Sequence, residues 1–198
     1  VLQPGEAYFK LTKVRNYAFG MLIDAQGATI FRVTNPMIEV EPLAQVVRDS
    51  IDGGGSKLPV FNVGASFALY QLLAGKVTER LLAAKSLIID ANGPLQKLPM
   101  GVLVPDRESV TAFAQSRKAN SYDYSQVNFL AKRLSLSTAL SPRSLVVSRN
   151  LPASSAPLPF MGFAQHLPTL ASVKFGNTMV SIGTGCEAEE NAIAQLTR

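Results

Sequence analysis

The chain holds a single cysteine, Cys186, and a single histidine, His166. One thiol cannot close an internal disulfide, so a bridge-stapled scaffold is excluded, and a chain of 198 residues without such a framework fits a reducing, cytoplasmic compartment. One Cys and one His cannot fill four tetrahedral positions unless carboxylates join them at unusual spacing, so no structural metal or cofactor is expected. Long apolar runs are missing as well. The longest are short stretches such as Leu87 to Ile89 with its neighbours, far below the ~20 residues needed to cross a bilayer, so no membrane partner is expected. The start at Val1 lacks a positively charged segment followed by an apolar run, so no signal peptide is read, and the missing Met leaves room for an upstream region.

What is present is the composition of a packed domain: 47% of the residues are hydrophobic and 17% charged. A chain of this length buries roughly 70% of the surface its unfolded form exposes, so the core alone suffices for stability. The net charge is +5, from 19 Lys and Arg against 14 Asp and Glu. The cations are scattered in ones and twos, which is the pattern of a solvated surface, and nucleic acid is not expected as a partner.

The first third alternates as a β-meander, with runs at Glu6–Leu11, Tyr17–Ile23 and Ala28–Val33. Arg15-Asn16 and Asp24 to Gly27 lie between them, where Asn and Gly supply turn geometry at low steric cost. After Asn35-Pro36, the residues Ile38, Val40, Leu43, Val46 and Val47 recur at near-helical spacing up to Ser50, with Pro42 marking the opening turn. Asp52 to Ser56 is too rich in glycine to hold regular structure. From Ala65 to Ala84 a broad apolar stripe (Phe67, Leu69, Tyr70, Leu72, Leu73, Val77, Leu81, Leu82) predicts helix, interrupted at Gly75.

Ser86 to Asp90 is apolar on both faces, as a parallel strand entered after a helical crossover should be, and the crossover is expected to be right-handed. Asn92-Gly93-Pro94 and Leu98-Pro99 break the chain. The polar stretch from Asp106 to Gln126 reads as a mobile surface excursion, with a helix over Glu108 to Ala119. A strand is predicted over Arg133 to Thr138, and Ser141-Pro142 caps a short helix through Val147. Pro152 to Pro159 reads as a linker, Phe160 to Ala164 as a strand, and Thr184 to Arg198 as a helix with acidic residues at its start.

Candidate chemistry is sparse. His166 and Cys186 are the only pair that could form a cysteine–histidine dyad, but Leu167-Pro168 follows the histidine, and Glu187 and Glu189 oppose thiolate formation at Cys186. Gly53 to Lys57 lacks the spacing of a phosphate-binding loop. Asp24, Asp90 and Asp106 each sit at a strand end or turn, where aspartates commonly accept from backbone amides; acid–base work would need two of them to converge. Ser141 and Ser144 lack the Gly-x-Ser-x-Gly elbow of a hydrolase. No catalytic, cofactor-binding or metal-binding residue is therefore assigned.

Several stretches, in one order, resemble the CHAT family, caspase-like domains related to separase and often found with tetratricopeptide repeats. They are Leu2-Gln3-Pro4-Gly5-Glu6-Ala7-Tyr8 with the strands Tyr17 to Val33, then Leu87-Ile88-Ile89-Asp90-Ala91-Asn92-Gly93-Pro94-Leu95-Gln96-Lys97-Leu98-Pro99, then Leu136 to Leu145. The resemblance spans most of residues 2 to 165, and the Gly93-Pro94-Leu95 to Leu98-Pro99 block is its most specific part. It implies an α/β fold with a caspase-like mixed sheet, flanked by helices and led by an antiparallel meander. Residues 1–150 would be a non-catalytic, pseudo-caspase front part, and 151–198 a linker plus the first strand and helix of the protease half. In the family the catalytic His precedes a Gly and the catalytic Cys follows a later strand. Neither position exists here, so no role passes to His166 or Cys186. The partners implied are a downstream protease half and/or a repeat-containing regulatory region, and the protein substrate of the parent peptidase; Arg198 reads as a proteolytic boundary, either from self-processing or from accidental trimming. The rival reading is a stand-alone interaction domain whose partner docks on the hairpin edge or on the Asp106 to Gln126 excursion.

Overall fold

A computed structural model of the chain describes residues 1–33, 35–52, 59–152, 172–175 and 178–181. The chain divides into two compact units, Val1–Pro152 and Ala153–Arg198. Unit one is an α/β structure around a five-stranded mixed sheet in the order β3-β2-β1-β4-β5.

The meander forms as the alternation predicts. Strands β1 (Glu6–Val14), β2 (Tyr17–Asp24) and β3 (Gly27–Arg32) pair antiparallel, with Val14 opposite Tyr17 and Asp24 opposite Gly27, so each connection is a two-residue turn. In the first turn the left-handed φ falls on Arg15, at 54°, rather than on Asn16; in the second, Gly27 takes a φ of 112° at no steric cost.

Helix α1 spans Met37–Asp49, but two expectations for it fail. Pro42 lies inside the helix rather than in its opening turn. The buried stripe is Met37, Val40, Ala44 and Val47, while Ile38 is 78% exposed; at this register Ile38 and Val46 fall on the solvent side. The next helical stretch breaks at Gly75 as read: α2 (Val63–Ala74) passes through a 3-10 turn at Gly75–Val77 into α3 (Thr78–Ala83). Asn62 opens α2 by accepting from the Ala65 amide.

Strand β4 (Ser86–Ala91) then enters parallel to β1, with Tyr8 opposite Ile88 and Lys10 opposite Asp90. The breaks after it are two 3-10 turns, Gly93–Lys97 and Met100–Val102. The polar stretch beyond contains the expected helix, shifted slightly toward the N-terminus, and is tied to the rest of the unit by its apolar residues. Helix α4 (Arg107–Ser116) packs through Phe113 against Val63, Val104 and Val127, and the Tyr124 ring stacks on Phe113 with centroids 5.0 Å apart. These aromatic contacts anchor the segment, although its average composition is polar.

The strand predicted from Arg133 begins later. Leu130–Arg133 is a single turn of helix, α5, and β5 is Ser135–Thr138, parallel to β4. Leu130 and Leu134 are both buried, a four-residue spacing that suits a helical turn and not an alternating strand. Helix α6 (Pro142–Asn150) starts as expected, with Ser141 and Ser144 forming a reciprocal capping box.

The two faces of the sheet differ. Ala7, Phe9, Leu11, Leu22, Leu87 and Ile89 point into the main core beneath α1, α2 and α3. The other face carries Tyr8, Ile23 and Ile88, with Leu145 of α6 packed on them, and α6 itself buries no residue fully. In unit two, β6 (Ser172–Phe175) and β7 (Thr178–Ser181) pair antiparallel, a ribbon the sequence did not announce. The glycine-rich stretch at 53–58, most of the linker, the strand at 160–164 and the helix at 184–198 lie outside the described residues.

Gly20 is fixed by a close approach: a Cβ there would lie 2.3 Å from the Phe31 ring, which in turn stacks on Phe9. Gly20→Ala should cost about 1–2 kcal/mol by displacing that ring. In a Phe31→Ala background the cost should nearly vanish, a coupling that urea denaturation of the four proteins in the cycle would read.

Candidate functional site

The three aspartates singled out from the sequence are each engaged with different partners. Asp24, at the end of β2, is gripped by Arg80 of α3, whose guanidinium donates to both carboxylate oxygens and also to the Thr29 hydroxyl and the Gly27 carbonyl. This forked geometry suits a planar guanidinium and ties α3 to the β2–β3 turn. The Arg80 hydrogen bonds hold the Asp24 carboxyl below its usual value, helped by the Gln26 amide, and Asp24 in turn raises Arg80. Asp106 is the N-cap of α4, accepting from the Ser109 amide at 2.8 Å and from the Asn128 side chain at 3.3 Å. Burial pushes its carboxyl up, but the hydrogen bonds from Ser109 and Asn128 outweigh it and the net shift is downward.

Asp90 is the buried member of the three. It sits in β4 with its side chain 4% exposed, and two neighbours on β1 converge on the same oxygen. The Tyr8 hydroxyl donates to Oδ2, and Lys10 Nζ lies 2.5 Å from it. Parallel pairing sets this up: Tyr8 and Lys10 are two residues apart on β1 and so share a face, and Lys10 stands opposite Asp90. Burial, followed by the hydrogen bond to the Asp90 carboxylate, raises the Tyr8 hydroxyl well above its ordinary value. Tyr8 thus stays protonated and donating through the neutral range, and the cluster acts as a strand-to-strand tie. Sequence reading named Asp90 but missed both of its partners; the available signal was a lysine inside an otherwise alternating apolar strand.

Ser141 and Ser144 are consumed by the cap of α6, so neither hydroxyl stands ready as a nucleophile. His166, Cys186 and the Gly53 to Lys57 stretch lie outside the described residues. Among the described residues, no group of three His, Cys, Asp or Glu is placed to hold a metal ion, and no helix is long and apolar enough to cross a membrane.

One concavity stands at the carboxyl ends of the parallel strands. It has a volume of about 320 Å³ and is lined by Ile89 and Ala91 of β4, Leu136 and Thr138 of β5, and the turns from Leu95 to Gly101. This is where open α/β sheets commonly bind ligands. No carboxylate, imidazole or thiol lines it; its polar side chains are Gln96, Lys97 and Thr138. The arrangement can bind an apolar group beside a cation, and it contains no acid–base pair.

No protein-family model, curated protein or solved structure matches the chain.

The buried tie and a surface pair of similar geometry should separate on mutation. Lys10→Met leaves the Asp90 carboxylate without its cation and should cost about 2 kcal/mol, tempered by the partial exposure of Lys10. Lys13→Met breaks an exposed pair with Glu41 and should cost under about 0.5 kcal/mol. Chemical denaturation at neutral pH distinguishes them, and equal costs would contradict the structural role given to Asp90.

Proposed function

We propose that the chain is the non-catalytic front part of a CHAT-like cysteine peptidase, a pseudo-caspase scaffold that offers sheet, helices and an interface to a protease half. The observation that carries this reading is the use to which the candidate residues are put. Asp24, Asp90 and Asp106 are each bound into the framework, and the hydroxyls of Ser141 and Ser144 close a helix cap. The block that carries the resemblance most specifically, Gly93-Pro94-Leu95 to Leu98-Pro99, forms the turns that close over the carboxyl end of β4. An antiparallel meander feeding a parallel β1-β4-β5 core accords with the mixed caspase-like sheet that the resemblance implies.

A second reading, a stand-alone interaction domain, draws support from β3. This edge strand holds Ile30 at 70% exposure, a large apolar side chain left in water.

The two readings part on the native protein. Mass spectrometry of the endogenous product should find peptides beyond Arg198 that include a His-Gly and a later Cys, and the isolated chain should hydrolyse neither casein nor basic fluorogenic peptides. A transcript that stops at Arg198 would favour the interaction domain. Thiol-probe labelling of Cys186 that is abolished by His166→Ala would overturn both readings and make the chain an enzyme in its own right.

A further inference from the structure

Strand β5 ends the sheet of unit one, and its free edge coincides with the concavity at the strand ends. The amides of Ser135 and Ala139 donate toward β4, at 3.1 Å to the Lys85 carbonyl and 2.8 Å to the Ile89 carbonyl. Alternation then turns the backbone N–H and C=O of Leu136 and Thr138 outward, where no strand of the unit pairs with them. The side chains of these same two residues line the concavity. Among the described residues, an unpaired backbone edge and an apolar recess therefore meet at one pair of residues. A strand laid along β5 would form ladder bonds there and direct alternate side chains over the recess.

Charge decides what kind of strand fits. No Asp or Glu occurs between Asp123 and Glu187, while Lys132, Arg133, Arg143 and Arg149 all fall in that interval. Lys132 and Arg133 immediately precede β5, Arg143 lies in the first turn of the helix that follows it, and Lys97 stands on the rim of the recess. Lys97 and Arg143 are exposed and form no ion pair with a described carboxylate, whereas Arg133, also exposed, acts on the Asp106 carboxylate. The recess itself is closely built: a Cβ on Gly101 would come within 3.1 Å of Ala131 and 3.2 Å of Leu136, so that wall is formed by a residue without a side chain.

We propose that the free edge of β5 binds an extended acidic peptide as an added strand, with one apolar side chain of that peptide seated in the recess beside Lys97. Backbone pairing supplies the alignment, the recess selects an apolar residue, and the surrounding cations favour Asp and Glu on either side of it. The inference goes beyond the scaffold reading.

The test uses the whole chain and a fluorescein-labelled peptide, Asp-Glu-Leu-Asp-Ile-Glu-Asp, read by fluorescence polarisation. Binding is expected to weaken as salt rises and to fall roughly fivefold or more on N-methylation of alternate peptide amides, which leaves side chains and charge untouched. Thr138→Pro removes an outward N–H that no bond among the described residues uses and should weaken binding by a similar factor, its fold checked by circular dichroism. Lys97→Glu should weaken the acidic peptide and strengthen a lysine-substituted analogue. Failure to bind, or binding indifferent to peptide N-methylation, would overturn the proposal, the latter by showing charge attraction without strand pairing.

Discussion

The structure of unit one depends on β1 being paired along both edges. Its antiparallel partner β2 follows it directly in the chain, so that ladder closes through a two-residue turn. Its parallel partner β4 arrives only after α1, α2 and α3 have been laid down. The helical crossover is therefore trapped between the two pairings, and the face of β1 beneath it, with Ala7, Phe9 and Leu11 fully buried, becomes the floor of the main core. On the opposite face a second constraint acts on the same strand pair. Tyr8 and Lys10 hold Asp90 and lock the β1–β4 register with a buried polar group that a one-residue slip would strand.

This arrangement explains why a domain with several well-placed polar residues offers no reactive constellation among the described ones. Each of the three aspartates closes a connection between elements: Asp24 joins the meander to α3, Asp90 joins β1 to β4, and Asp106 joins α4 to the chain entering α5. Groups fully committed to such partners are poorly placed to transfer protons to a substrate. What the fold leaves free lies at its margins, on β3 with the exposed Ile30 and on β5 beside the recess. A scaffold or binding role uses those margins and leaves the interior intact.

The parts of the fold that were legible in the sequence are those governed by short-range chemistry. The meander follows from apolar runs broken by turn residues at Arg15-Asn16 and Asp24 to Gly27, the helix break from Gly75, and the start of α6 from Ser141-Pro142. The misreadings have a common cause. The stretch from Asp106 onward is polar on average, but its few apolar residues are the ones that meet: Phe113, Tyr124 and Val127 join Val63 and Val104 from distant segments. The apolar spacing that predicts α1 includes Ile38 and Val46, although the register of the helix places Met37 and Ala44 inward instead. The Lys10–Asp90 tie spans 80 positions, and its one local trace is a lysine within an otherwise apolar strand. The recess was invisible for the same reason, being made by strand ends and turns that only the parallel pairing brings together.

Native-state hydrogen exchange tests the central position of β1 most directly. The amides that bond β1 to β2 and β4 should be the slowest in unit one, exchanging only through global opening, and roughly a hundredfold slower than those holding the edge strands β3 and β5. If β1 exchanged as fast as the edges while α1 and α2 stayed protected, the helices and not the doubly paired strand would be the element on which the structure rests.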